Sequence, residues 1–186
     1  MGHIYPMSTL ALHLKQRSHR ITVFSVVDAA PYYQSVGLEF IAVGLDSFPK
    51  GQSERDNAKL DKLKGQAGVL YTVEMLAKFV DTWFADLPQS IQSRQVDALV
   101  IDQIFIGGAT VAEHLNIPYV HLANALIANA EDSVPPFNFG WRYRVDPLSR
   151  LRNTLGYAII RKLTKPICQK VNHQRLQWDS SPTPIC

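Results

Sequence analysis

Short apolar runs alternate along the chain with longer stretches in which apolar residues return every three or four positions, the pattern of parallel strands joined by crossover helices. Pro6 to Arg17 reads as a first helix, with Leu10, Leu12 and Leu14 among its apolar positions, and Ile21 to Val27 as a buried strand. Asp28 is placed to cap a short helix from Ala29 to Val36, which Gly37 ends before a strand from Glu39 to Val43. Pro49 to Gly65 breaks the alternation: its charged residues are interleaved without an apolar period, and it reads as a mobile surface loop. A long helix follows from Gln66 to Ile91, with Leu70, Val73, Leu76, Ala77, Val80 and Phe84 on one face. Ala98 to Ile101 is a strand ending at Asp102, Gly108 to Leu115 a helix, and Pro118 to Leu122 the next strand. Asn124 to Gly140 has few periodic signals and lies on the carboxyl side of a strand, where parallel sheets bind ligands. Helical spacing returns from Leu148 to Leu163, and the tail from Ser180 to Cys186 reads as unstructured.

With 186 residues, 46% of them apolar, the chain can bury one good core or two cramped ones, which excludes disorder, and its scattered Pro and Gly exclude a collagen-like or low-complexity class. A net charge of +3 is too mild to imply a nucleic-acid partner. The cations do cluster from Arg142 to Arg175, but no nucleic-acid-binding motif accompanies them, so nucleic acid is not among the expected partners. The helix from Leu148 to Leu163 joins an apolar stripe to Arg150, Arg152, Arg161 and Lys162. Such a helix either packs its stripe inward or is attracted to an anionic membrane surface. No run approaches 18 apolar residues, so no membrane crossing is predicted. Cys168 and Cys186 have neither CxxC spacing nor nearby His at zinc-ligand intervals, so no metal is expected and a reducing, cytoplasmic location fits best.

The chain has no GxxxxGK[ST] phosphate loop, no GxGxxG turn and no GxSxG elbow, and Glu113 and His114 lack the second His of a zinc-protease helix. What remains is His3 ahead of a helix and Asp102 at a strand end, which a doubly wound sheet would bring to the same edge. An imidazole can take a proton from a hydroxyl, and a carboxylate on its other nitrogen would fix the tautomer and stabilise the imidazolium. Taken singly, the His also reads as a surface or capping residue and the Asp as a helix cap.

Gly2-His3-Ile4-Tyr5-Pro6 before a Leu-rich helix, Ser18-His19-Arg20-Ile21-Thr22-Val23, Val36-Gly37-Leu38-Glu39-Phe40, Asp97 to Gln103, and Gly107 to His114 follow one another at set intervals. In order and spacing they resemble the N-terminal half of family 1 glycosyltransferases, in the bacterial branch of macrolide and zeaxanthin glucosyltransferases. The match runs from Gly2 to about Pro136. The resemblance implies an α/β, GT-B architecture of two Rossmann-like domains, the N-terminal one binding the acceptor and the C-terminal one the nucleotide sugar. It implies that His3 is the general base and Asp102 its partner, in metal-free inverting transfer from a UDP-sugar to a lipophilic hydroxylated acceptor. Asn124, Phe137 and Phe139 fall on the family's variable acceptor wall, where apolar packing is their other reading.

Two departures follow from the resemblance. Met1 stands where the family's central first strand should end, so that strand is expected to be missing, its neighbours' edges left open or filled by a partner. Beyond Cys186 the family's donor domain, roughly 150 to 200 residues, is likewise expected to be missing, so the resemblance implies a UDP-sugar co-substrate whose site is not expected in this chain and no other cofactor. Residues 1–140 thus read as the Rossmann-like acceptor-binding domain and 141–186 as its basic helical extension with a disordered tail. The fragment is expected to be inactive alone. The alternative is a non-catalytic apolar-ligand-binding protein, or a half-enzyme pairing with a separately encoded donor domain.

Overall fold

The computed structural model describes residues 2–125 and 130–182. It is a mixed α/β structure. Helix α1 (Ile4–Gln16) leads into strand β1 (Thr22–Ser25), then α2 (Ala30–Ser35) and β2 (Glu39–Ala42). Helices α3 (Gln52–Lys62) and α4 (Gln66–Gln92) precede β3 (Leu99–Asp102), α5 (Gly108–His114), β4 (Tyr119–Leu122) and the long α6 (Pro147–Gln177).

The strands pair as two separate two-stranded parallel sheets, β1 with β2 and β3 with β4. Thr22 lies opposite Glu39 and Ser25 opposite Ala42; Leu99 lies opposite Tyr119 and Asp102 opposite Leu122. A pair of strands is marginal by itself, and helices supply the missing support. Ala11 of α1 packs with Ala29, Tyr33 and Leu38 beside β1 and β2. The larger core gathers Ala77, Val80, Trp83, Phe84, Leu87 and Ile91 of α4 with Val111 of α5 and Ile167 and Val171 of α6, and Phe24 of β1 and Leu99 of β3 pack against it from the two sheets. A run of stacked rings, Phe48 on Phe79, Phe79 on Trp83 and Trp83 on Phe105, at centroid separations of 4.1, 5.3 and 4.7 Å, carries this core to the turn after β3.

Three local readings of the sequence are corrected. The interrupted stretch from Pro49 to Gly65 is not a loop but holds α3, a helix with no buried residue. Polar contacts replace an apolar face there: Gln52 donates to Asp56 one turn on, Tyr71 of α4 donates to the same carboxylate, and Lys59 lies over the Tyr71 ring. Asp28 does not cap its own helix. Its carboxylate accepts the N–H groups of Gly51 and Ser53 at 2.6 and 2.8 Å, and so caps α3 from outside. Finally, α6 does not stop at Leu163. It runs on through Pro166, because Ile167 and Val171 are buried and the packing they gain on α4 outweighs one lost helical hydrogen bond. Of the tail expected to be unstructured, 180–182 has no regular structure and 183–186 lies outside the described residues.

Candidate active site

Asp102 is the last residue of β3 and is 5% exposed. The turn that follows is fixed at both ends: Phe105 N–H donates to the Asp102 carbonyl at 2.9 Å, and the Phe105 ring stacks on Trp83. The side chain is held as firmly. Ile104 N–H donates to Oδ1 at 3.1 Å and the Asn124 amide donates to Oδ2 at 2.7 Å. A buried carboxylate needs such donors to remain charged.

His3 immediately precedes α1, and its Nδ1 lies 3.0 and 2.9 Å from the two Asp102 oxygens, so the expected hydrogen bond is present. An ionised carboxylate only accepts, so Nδ1 carries the proton and Nε2 is left as the basic atom of the neutral ring. The His3 side chain is 32% exposed against 5% for Asp102, which places the imidazole at the surface and the carboxylate behind it. That arrangement suits proton abstraction from a bound hydroxyl, with the buried charge compensating the imidazolium that forms.

Tyr33 of α2 belongs to the same neighbourhood. Burial, followed by the negative charge of Asp102, holds its phenol above the usual tyrosine range, and it remains a neutral hydroxyl at physiological pH. Among the described residues, no group of three or more His, Cys, Asp or Glu side chains is placed to hold a metal ion.

Of the five residues singled out in the sequence, the structure brings together three. Asn124 joins His3 and Asp102, its amide engaged by the carboxylate. Phe137 and Phe139 lie instead in a single helical turn, where the Phe139 ring packs tilted against Trp141 at a centroid separation of 4.5 Å and Phe137 is 58% exposed. Sequence reasoning missed Tyr33 and the Ile104 amide. It also missed the bond from Asn124, although there is a signal: Asp102 and Leu122 end neighbouring parallel strands, so residues just beyond Leu122 lie at the same sheet edge as the carboxylate.

No protein-family model matches the chain. It is 32% identical over 143 residues to a zeaxanthin glucosyltransferase of Pantoea ananas, which covers 75% of this chain and 33% of that protein. A zeaxanthin glucosyltransferase of Pseudescherichia vulneris is 28% identical over 74% of the chain and 33% of its own length. The NDP-glycosyltransferase YjiC of Bacillus subtilis (strain 168) is 27% identical over 69% of the chain and 30% of its own length. Over this span the chain is similar to glycosyltransferases. This glycosyltransferase-like sequence spans about a third of the length of the curated relatives it matches.

Proposed function

We propose that this chain is the acceptor-binding and catalytic-base part of an inverting, UDP-sugar-dependent glycosyltransferase of GT-B architecture, acting on a lipophilic hydroxylated acceptor. The observation that carries the reading is the hydrogen bond from His3 Nδ1 to the buried Asp102 carboxylate in a chain similar to sugar-transferring enzymes. His3 Nε2 takes the proton of the acceptor hydroxyl as its oxygen attacks the anomeric carbon of the donor. The new glycosidic bond forms on the face opposite the leaving group, the bond from the anomeric carbon to the nucleoside diphosphate breaks, and the proton rests on His3 beside Asp102. Ile104 N–H and Asn124 keep the carboxylate oriented, and Phe137 and Phe139 are offered as apolar contacts for the acceptor. Zeaxanthin, named for two relatives, exemplifies the acceptor class.

In-line displacement needs the anomeric carbon held within about 3 to 3.5 Å of the acceptor oxygen. This chain holds His3 and Asp102, and we assign the nucleotide-sugar site to the two thirds of the relatives' length that it does not span. Purified protein mixed with UDP-glucose and hydroxylated lipophilic acceptors should form no glycoside above a protein-free blank. Joined to the remaining two thirds of a zeaxanthin glucosyltransferase, it should form product. Turnover by the chain alone, or none by the properly folded joined enzyme, contradicts the assignment.

A further inference from the structure

Helix α6 turns its apolar stripe away from the core. Leu148, Leu151, Leu155 and Ile159 are 79, 58, 58 and 49% exposed, whereas Ser149, Asn153 and Gly156 of the same stretch are buried. At about 100° per residue the four apolar side chains fall within an arc of about 80°, a continuous stripe along the first half of the helix.

The inward face is already occupied. Asn153, fully buried, donates to the Asp132 carbonyl at 2.8 Å, and at Gly156 a Cβ would come within 2.8 Å of the Trp141 ring and 3.1 Å of Pro136. The incoming segment thus packs on the small and polar residues of α6, and the leucines are left outside. The choice between inward packing and a surface role falls to the surface.

Charge identifies the partner. Between Asp146 and Asp179 the sequence has no acidic residue. Lys170 and Arg175 are paired with Asp81 and Glu113, and Arg152 lies over Trp141. Arg150, Arg161, Lys162 and Lys165 are exposed and have no ion pair among the described residues. Lys162 continues the stripe one turn on, and the other three lie along one side of it. A second copy of the same face would set these cations against each other. No helix of the described residues is long and apolar enough to cross a membrane, so α6 can lie on a bilayer but not span it.

We propose that this face of α6 docks in the plane of an anionic membrane surface, its leucines and Ile159 in the boundary between headgroups and acyl chains and its four free cations against lipid phosphates. The proposal is independent of the role assigned to His3. It is tested by co-sedimenting the full chain with vesicles of phosphatidylcholine alone or mixed with phosphatidylglycerol, at low and high salt. Binding should require the anionic lipid and fall as salt screens it. Arg161→Gln, Lys162→Gln and Lys165→Gln should each weaken it about fivefold, and Leu151→Glu with Leu155→Glu should abolish it. The Gln variants alter only exposed side chains and decide the matter alone should the double Leu variant lose its helical circular dichroism. Equal retention on neutral and anionic vesicles, no binding to either, or a dimer in sedimentation velocity that Leu151→Glu dissolves would overturn the proposal.

Discussion

His3 Nδ1 meets Asp102 Oδ2 at 2.9 Å across 99 positions of sequence, and the bond joins the two halves of the structure. His3 immediately precedes α1, which packs beside β1 and β2, while Asp102 closes β3, which among the described residues pairs with β4. The relative placement of the two sheets therefore decides whether the imidazole has its carboxylate.

The first expectation concerns the state of that imidazole. With Asp102 accepting at Nδ1, neutral His3 should be the Nδ1-protonated tautomer. Nitrogen-15 shifts of the His3 ring should show a protonated Nδ1 and an unprotonated Nε2, and Asp102→Leu should return the ring to the mixture of exposed histidines. Asn124→Ala should lower stability by about 1 to 2 kcal/mol in urea denaturation, because Asp102 loses one of its donors. A protonated Nε2 in the wild-type neutral ring would contradict the geometry.

The polypeptide also shows how far a sequence carries such a site. Apolar patterning is sufficient for α4, which buries one regular face, and for β1 to β4, which are short apolar runs between polar ends, and the polar residues at strand ends point to Asp102. Helix α3 was illegible because it buries nothing and its cap, Asp28, comes from more than twenty positions away. The full length of α6 was hidden by Pro166, and the outward direction of its stripe depends on where Trp141 and Pro136 pack. Tyr33 beside Asp102 was beyond reach, because only the assembled fold brings α2 to the end of β3.

The loop after β2 should be intolerant of any side chain at Gly44. Its φ is +72° and a Cβ there would come within 2.2 Å of Thr82 Cγ2 on α4, while its N–H donates to Asp86 at 2.7 Å. Gly44→Ala should cost more than about 2 kcal/mol in chemical denaturation, combining left-handed strain with overpacking. Adding Thr82→Ser removes the clashing methyl and should restore part of the loss. No recovery in the double variant would show that strain alone sets the cost.

Acid should loosen the cap of α3. Burial acts to raise the Asp28 pKa, but the N–H groups of Gly51 and Ser53, the Ser53 hydroxyl and Arg55 outweigh it and hold the group below its ordinary value of 3.8. A carboxylate depressed in the folded state contributes stability that is complete above its unfolded pKa and is lost as pH falls through the folded one. The melting temperature should therefore drop below pH 3.8, and part of that drop should vanish in Asp28→Asn. An identical acid profile in the variant would remove Asp28 as a contributor.

The most direct test of the central assignment is the kinetics of His3→Ala in the enzyme formed by joining this chain to the donor portion of a zeaxanthin glucosyltransferase. Loss of a general base should lower kcat by about 10² to 10⁴ and leave the acceptor KM close to that of the parent, because His3 acts on the hydroxyl proton and not on the body of the acceptor. An unchanged kcat in the folded variant would remove His3 from the reaction.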